Sequence, residues 1–205
     1  VPHEVTVLTR SNRTTNERYL TYKQWDGKSM PMGMGIYDVV INLAGASIGD
    51  NRWTEENKAL ILDSRIDATR ACVDFINRSP NPPQLFISAS AVGYYGVEFD
   101  GEIDENAPPG KDFAAQVCAQ WEAEAQKAEV RTVLPRIGLV LGPNGGLLDR
   151  LVPIYKMWLG GKLASGEQGF PWVHRQDIIG AIQFMMENEN LNGPVNVVAP
   201  QVTTQ

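Results

Sequence analysis

Short β-branched runs alternate along this chain with longer stretches in which apolar residues recur every three or four positions. Glu4 to Thr9 (EVTVLT), Tyr37 to Leu43 (YDVVINL), Leu85 to Ile87, Arg131 to Leu134 (RTVL) and Pro194 to Val198 (PVNVV) read as strands. Thr54 is placed to cap a helix running to about Ile76, with Glu55 and Glu56 suited to the positive end of its dipole. Ser79 to Gln84 (SPNPPQ) breaks the chain before the third strand. A second helix is predicted from about Asp112 to Lys127, capped by Asp112 after Ala107 to Gly110 (APPG), and a third from about Asp177 to Asn188. Gly142 to Gly146 (GPNGG) reads as a turn. Strands separated by helices of this length imply right-handed parallel crossovers, so the predicted fold is α/β, a doubly wound parallel sheet. No internal repeat or low-complexity tract interrupts it.

Composition narrows the classes of partner. The chain has 205 residues, enough for a continuous core, with 43% hydrophobic and 20% charged residues, as in an ordinary globular protein. Net charge is −6 with no basic block, so neither nucleic acid nor an anionic membrane is an expected partner. No apolar run is long enough for a bilayer and no signal-peptide pattern opens the chain, so the expected compartment is the cytoplasm. The Asn12-Arg13-Thr14 acceptor triplet carries no weight without a secretion signal. Cys72 and Cys118 lie in helical patterns without metal-ligand spacing and read as buried reduced thiols. His3 and His174 are the two histidines, so a histidine metal site is not expected, nor is any metal.

Candidate chemistry gathers at strand ends. A parallel α/β sheet places its ligand crevice outside the carboxyl ends of its strands. Leu85 to Gly96 (LFISASAVGYYG) is a buried strand running into Ser88, Ser90, Tyr94 and Tyr95, which puts hydroxyls at that edge. The first strand ends in Thr9-Arg10-Ser11-Asn12-Arg13, like the second strand of a dinucleotide-binding fold, where the ribose of a nicotinamide cofactor sits. A carboxylate there would bind the 2′-hydroxyl of NAD, whereas arginine accommodates a 2′-phosphate, so Arg10, with Ser11, favours NADP(H) over NAD(H). The alternative is a solvated loop arginine. On this reading the chain lacks the first strand, glycine-rich turn and helix of its own fold. Residues 1–150 would form the dinucleotide-binding domain, and 151–205 a partial substrate-pocket and lid region.

Taken in order, VTVLTR, DVVINLAGASI, RWTEENKALILDSRIDATR, ISASAVGYYG, the APPG and CAQWE segment, LPRIGLVLGP and FPWVHRQDI resemble the extended branch of the short-chain dehydrogenase/reductase superfamily. More narrowly, they are similar to the nucleoside-diphosphate-sugar-epimerase-like proteins with a C-terminal extension, sometimes labelled cell-division-inhibitor-like. The resemblance implies an NAD(P)-binding Rossmann fold with a dinucleotide across the sheet and a substrate pocket near the C-terminal part. It places Leu43, Ala44 and Gly45 against the cofactor, and Ser90 where the superfamily carries its substrate-binding serine. Arg136 and Ile137, after the RTVL strand, border the nicotinamide. Arg65 stands where many relatives carry asparagine and, with Ser64, is a candidate for an anionic substrate group. A salt bridge on a solvated face is its alternative. Gly160 to His174 reads as a lid, with Gln168 and Trp172 as substrate-binding candidates and His174 as a structural hydrogen-bonding residue. Met185 and Met186 read as core.

One feature of the superfamily is missing. Aligned on Trp121-Glu122, its Tyr-x-x-x-Lys acid/base pair falls on Ala114 and Cys118. A tyrosine without such a lysine keeps its proton at neutral pH, so it can donate to a carbonyl but is a poor base toward a hydroxyl. Epimerisation through a ketone begins with that abstraction, whereas carbonyl reduction needs only donation. Tyr94 and Tyr95 are the candidate donors, with half-buried packing aromatics as the alternative. The expected activity is therefore NADP(H)-dependent reduction of a small carbonyl substrate. Nucleoside-diphosphate-sugar epimerisation and a non-catalytic NADP(H)-binding regulator are the alternatives, and a homodimer through the Thr54 and Asp112 helices is possible.

Overall fold

The wholly buried strand Leu85–Ser88 and the buried face of the helix Glu55–Arg78 carry much of the described core. The computed structural model describes residues 3–97, 101–143, 145–161, 166, 168–201 and 204. One unit comprises Val1–Ser88 and Gln120–Thr132, the other Ala89–Ala119 and Val133–Gln205. The strand pairings described are parallel, and outside the β1–β2 pair a helix lies between the paired strands, which is the mostly parallel α/β fold class expected.

In the first unit, β1 (Val5–Thr9) pairs with β2 (Leu20–Gln24), Val5 opposite Leu20 and Thr9 opposite Gln24. β3 (Val39–Asn42) pairs with β4 (Leu85–Ser88), Asn42 opposite Ser88. β4 is buried at all four positions, which is why it reads as an unbroken apolar run. α1 (Glu55–Arg78) lies between them in sequence. Its buried residues Ile61, Arg65, Ala68, Cys72 and Ile76 recur at three- and four-residue spacing, the mark of one helical face. Thr54 caps it as predicted, its hydroxyl accepting from the Asn57 N–H at 3.3 Å. The helix outlasts its predicted end by two residues and stops at Ser79, which precedes Pro80 and is pushed to an extended backbone. Burial pushes the Cys72 thiol up to about 12, so it stays protonated. The end of α2 (Phe113–Ala125) belongs here and is tied to α1 by Trp121 Nε1 donating to Thr69 Oγ1 at 2.8 Å and by an Arg70–Glu124 ion pair at 3.3 Å.

In the second unit, β5 (Ser90–Ala91) leads into a 3-10 turn, Val92–Tyr95. β6 (Arg131–Ile137), which belongs to this unit from Val133 on, pairs with β5, Ser90 opposite Arg136. It also pairs with β9 (Gly193–Val197), Arg136 opposite Asn196. Asp112 caps α2, its carboxylate accepting from the Ala115 N–H at 3.0 Å. β7 (Leu139–Leu141) pairs with β8 (Trp172–His174), α3 spans Gly146–Lys156, and α4 spans Arg175–Glu187.

Five elements correct the sequence reading. β2, α3 and β7 fill stretches given no element, and β8 lies within the stretch read as a lid. Most consequentially, β6 does not stop at Leu134 but runs through Pro135 to Ile137. Proline cannot donate to a ladder and so reads as a terminator. Because the strand continues, Arg136 is carried into the interior, 2% exposed. Residues 162–165 and 167 of the expected lid, and residue 144 of the expected turn, lie outside the described residues.

Candidate functional site

The end of β1 presents a cation. Arg10 is exposed, and among the described residues its guanidinium has no hydrogen-bond or ion-pair partner. Its carbonyl accepts from Gln24 Nε2 at 3.3 Å, and the Trp25 N–H donates to Thr9 O at 2.9 Å, so the ends of β1 and β2 are stitched together. Arg13 Nε lies 3.5 Å from Ser11 Oγ beside it. Arg10, Gln24, Trp25, Asp26, Met30 and Met32 are among the walls of a cleft of about 660 Å³. The Asp26 carboxylate accepts from the Lys28 and Ser29 N–H groups, which hold it below the usual carboxylate range and commit it to the turn. Trp25 and Asp26 were missed by the sequence reading, because their value depends on β2, an element it did not assign.

The end of β3 is a turn held by side chains. Asn42, 3% exposed, accepts from the Ala44 N–H at 3.1 Å and donates to Thr69 Oγ1 at 2.9 Å. Ser88 Oγ lies 3.4 Å from the same amide nitrogen. Ser88 is fully buried, so in this structure its hydroxyl serves Asn42 instead of facing a crevice. The Ala46 N–H donates to Ser64 Oγ at 2.9 Å, and Ala46 O accepts from Arg65 Nη1 at 3.0 Å. Arg65 also donates to Ile61 O at 2.9 Å and lies over the Trp121 ring, 5.1 Å from its centroid. Its Nη1 is thus bonded to two backbone carbonyls beside the turn, and Asp67 pairs with Arg70. Gly45 has a local reason, since a Cβ there would sit 3.0 Å from Arg65 Cζ. Leu43, 60% exposed, and Ala44 remain at the open end of the strand.

In the second unit, Ser90 is buried opposite Arg136. The Arg136 guanidinium stacks on the Tyr94 ring at 3.5 Å from Cζ to the centroid and lies 5.0 Å from that of Tyr95. Its Nη1 donates to Tyr95 Oη at 2.9 Å and to Glu105 O at 3.1 Å. Tyr95 in turn donates to Asn196 Oδ1 at 2.6 Å, and the Asn196 N–H donates to Glu105 Oε1 at 2.7 Å. Tyr94 is half-buried, and among the described residues nothing bonds its hydroxyl, while its carbonyl accepts from the Gly110 N–H at 2.9 Å. Ile137 is half-buried at the end of β6.

Ala114 and Cys118, where the superfamily's acid/base pair would fall, pack side by side against Gly93; a Cβ there would lie 3.7 Å and 3.9 Å from them. Trp172 stands on β8 with its carbonyl bonded to the Ala199 N–H, and Gln168 is exposed. His174 caps α4, its Nδ1 accepting from the Gln176 N–H at 3.2 Å, the structural role expected of it. Asn196 was missed, although a lone amide inside the apolar PVNVV strand is a legible signal; Glu105 carries none.

Comparisons with known proteins agree with this fold. The model of the NAD dependent epimerase/dehydratase family matches residues 2–198. The chain is 41% identical over 211 residues to the epimerase family protein SDR39U1 homolog, chloroplastic, of Arabidopsis thaliana, covering 97% of this chain and 59% of that protein. It is 39% identical over 204 residues to the epimerase family protein YfhF of Bacillus subtilis, covering 97% of this chain and 67% of that one. The crystal structure of human epimerase family protein SDR39U1, isoform 2, with NADPH matches with a TM-score of 0.87 at 31% identity, over 98% of this chain and 68% of that one. The chain thus spans 59% to 68% of the length of these three proteins. No described helix is long and apolar enough to cross a membrane. The chain belongs to the NAD dependent epimerase/dehydratase family, within the extended short-chain dehydrogenase branch that its motifs resemble.

Proposed function

We propose that this chain is the NADP(H)-binding part of an oxidoreductase that reduces a small carbonyl compound. The observation that carries the reading is the contrast within one tyrosine pair. Tyr95 has its oxygen and its proton committed to Arg136 and Asn196, whereas the Tyr94 hydroxyl is unbonded among the described residues.

The residues at the end of β1 suit a phosphorylated dinucleotide. Arg10 at the end of β1 and Arg13, whose Nε lies 3.5 Å from Ser11 Oγ, have no carboxylate paired to either among the described residues, a donor set for a 2′-phosphate. Trp25, held by its Nε1–H donating to Ser29 O at 2.9 Å, offers an aromatic face in the same cleft for a purine. One charge-assisted bond of this kind contributes about 1.5–3 kcal/mol, roughly ten- to a hundredfold in affinity. The human relative crystallised with NADPH supports this choice. Leu43 and Ala44 leave the strand end open for the approach of such a ligand.

NADPH, when bound, supplies the hydride that a carbonyl carbon accepts. Tyr94 Oη gives its proton to the carbonyl oxygen as charge develops there, a contribution of about a hundred- to ten-thousandfold for a well-placed acid. Its half-exposed position lets solvent return the proton. Ser90 is the second hydroxyl on the same stretch, assigned to orient the substrate oxygen. Abstraction from a sugar hydroxyl would need a base, and Ala114 and Cys118 supply none.

The test is oxidation of NADPH by the full chain with a panel of aldehydes, ketones and quinones. Turnover that falls at least a hundredfold in Tyr94→Phe is the expected result. Conversion of a UDP-sugar without net consumption of NADPH would replace reduction with epimerisation. Tight NADPH binding without hydride transfer to any compound would leave a binding module.

A further inference from the structure

Arg136 is the most deeply buried cation among the described residues, and it is held in one orientation from every side. Its Nη1 donates to Tyr95 Oη and to Glu105 O. Tyr95 is fixed by Asn196, and Asn196 by the Glu105 carboxylate, so the bonds close a ring: Arg136, Tyr95, Asn196, Glu105 and back to Arg136. The flat face that remains lies on the Tyr94 ring, Cζ 3.5 Å from its centroid, which is stacking contact. The other end of Tyr94 is held by the Gly110 N–H on its carbonyl. Gly110 has to be glycine for that approach, because a Cβ would meet Gly96 Cα and Tyr95 O at 2.7 Å.

We propose that Arg136 is a positioning residue for Tyr94, supplying from β6 the rigid cationic support that keeps this ring and its unbonded hydroxyl in one place. The inference rests on the reading of Tyr94 as the proton donor. It also explains how a site of this kind does without an acid/base helix. At Ala114 and Cys118, α2 offers only small packing groups against Gly93. The hydroxyl is carried instead on the 3-10 turn, and the cation beside it comes from a strand. Arginine suits the task where lysine does not, because a planar guanidinium can stack on one ring while its edge donates to a second tyrosine and a carbonyl. An ammonium keeps the charge but cannot do both.

The deciding variant is Arg136→Lys in the full chain carrying ring-labelled tyrosine, with the Tyr94 signal assigned from Tyr94→Phe. The expected result is a loss of at least tenfold in kcat for NADPH-dependent carbonyl reduction. NADPH affinity stays within twofold, and the Tyr94 ring resonances shift and sharpen as the ring gains freedom. A folded Arg136→Lys chain with wild-type kcat and an unchanged Tyr94 signal overturns the proposal. If the wild-type chain reduces no carbonyl compound, the functional reading fails separately. The ring signal then decides alone: a changed one supports positioning, an unchanged one overturns it. Should Arg136→Lys not fold, Tyr95→Phe removes the anchor and keeps the guanidinium. A smaller loss of kcat with a mobile Tyr94 ring is then expected, and no change in either contradicts the proposal.

Discussion

Two buried arginines, one in each unit, sit against aromatic rings and do different work. Arg65 lies over Trp121 and spends its Nη1 bonds on two backbone carbonyls, Ala46 O and Ile61 O. Its neighbours Asn42 and Ser64 likewise bond backbone N–H groups, of Ala44 and Ala46. That polar cluster is consumed in shaping a turn. Arg136 lies on Tyr94 and bonds a tyrosine hydroxyl and one carbonyl, and the cluster leaves one hydroxyl over. The difference separates scaffolding from chemistry better than residue type does: what matters is whether a polar atom is left unbonded once the backbone and its neighbours are satisfied.

This contrast is broken most severely at Tyr94. Tyr94→Phe removes only an unbonded hydroxyl, so unfolding free energy should hold within about 0.5 kcal/mol while turnover falls about a hundred- to ten-thousandfold, read by steady-state kinetics and denaturant melts on the same samples. Arg65→Met reverses the pattern. Two carbonyls lose a donor and the Gly45 turn loses its support, so stability should drop by about 2–3 kcal/mol in a urea melt. If Arg65→Met instead keeps its stability and loses only turnover, Arg65 belongs with the substrate after all.

Arg10→Asp comes next: NADPH affinity should fall roughly ten- to a hundredfold by calorimetry with little change for NADH, whereas equal losses for both would make Arg10 a loop cation. The smallest effect at neutral pH is at Cys72, on the same helix as Arg65. Its thiol ionises near 9.0 when unfolded and at about 12 when folded. The stability this lends is complete below the unfolded value and is lost as pH rises toward the folded one. Alkaline melts of the native chain should therefore weaken above pH 9, and Cys72→Ala should flatten that slope.

The sequence displayed the scaffold more openly than the site. α1, its Thr54 cap and the wholly buried β4 were legible because burial on one helical face or on a whole strand writes a period into the chain. Arg136 was visible as a residue of interest, but its burial was hidden by Pro135, which looked like the end of a strand. The role of Tyr95 depends on Asn196, one hundred and one residues away, and on Glu105, in a stretch with no periodic signal. Arg65 read as a surface or pocket cation because no local pattern announces a guanidinium folded under a glycine. Side-chain to backbone bonds of this kind are tertiary facts, and neither propensity nor spacing encodes them.

The most direct test of the central claim is calorimetric titration of the full chain with NADPH and with NADH. Binding of NADPH at least tenfold tighter than NADH, through the guanidinium at the end of β1, is the predicted result. No heat from either nucleotide, or equal affinity for both, would contradict it.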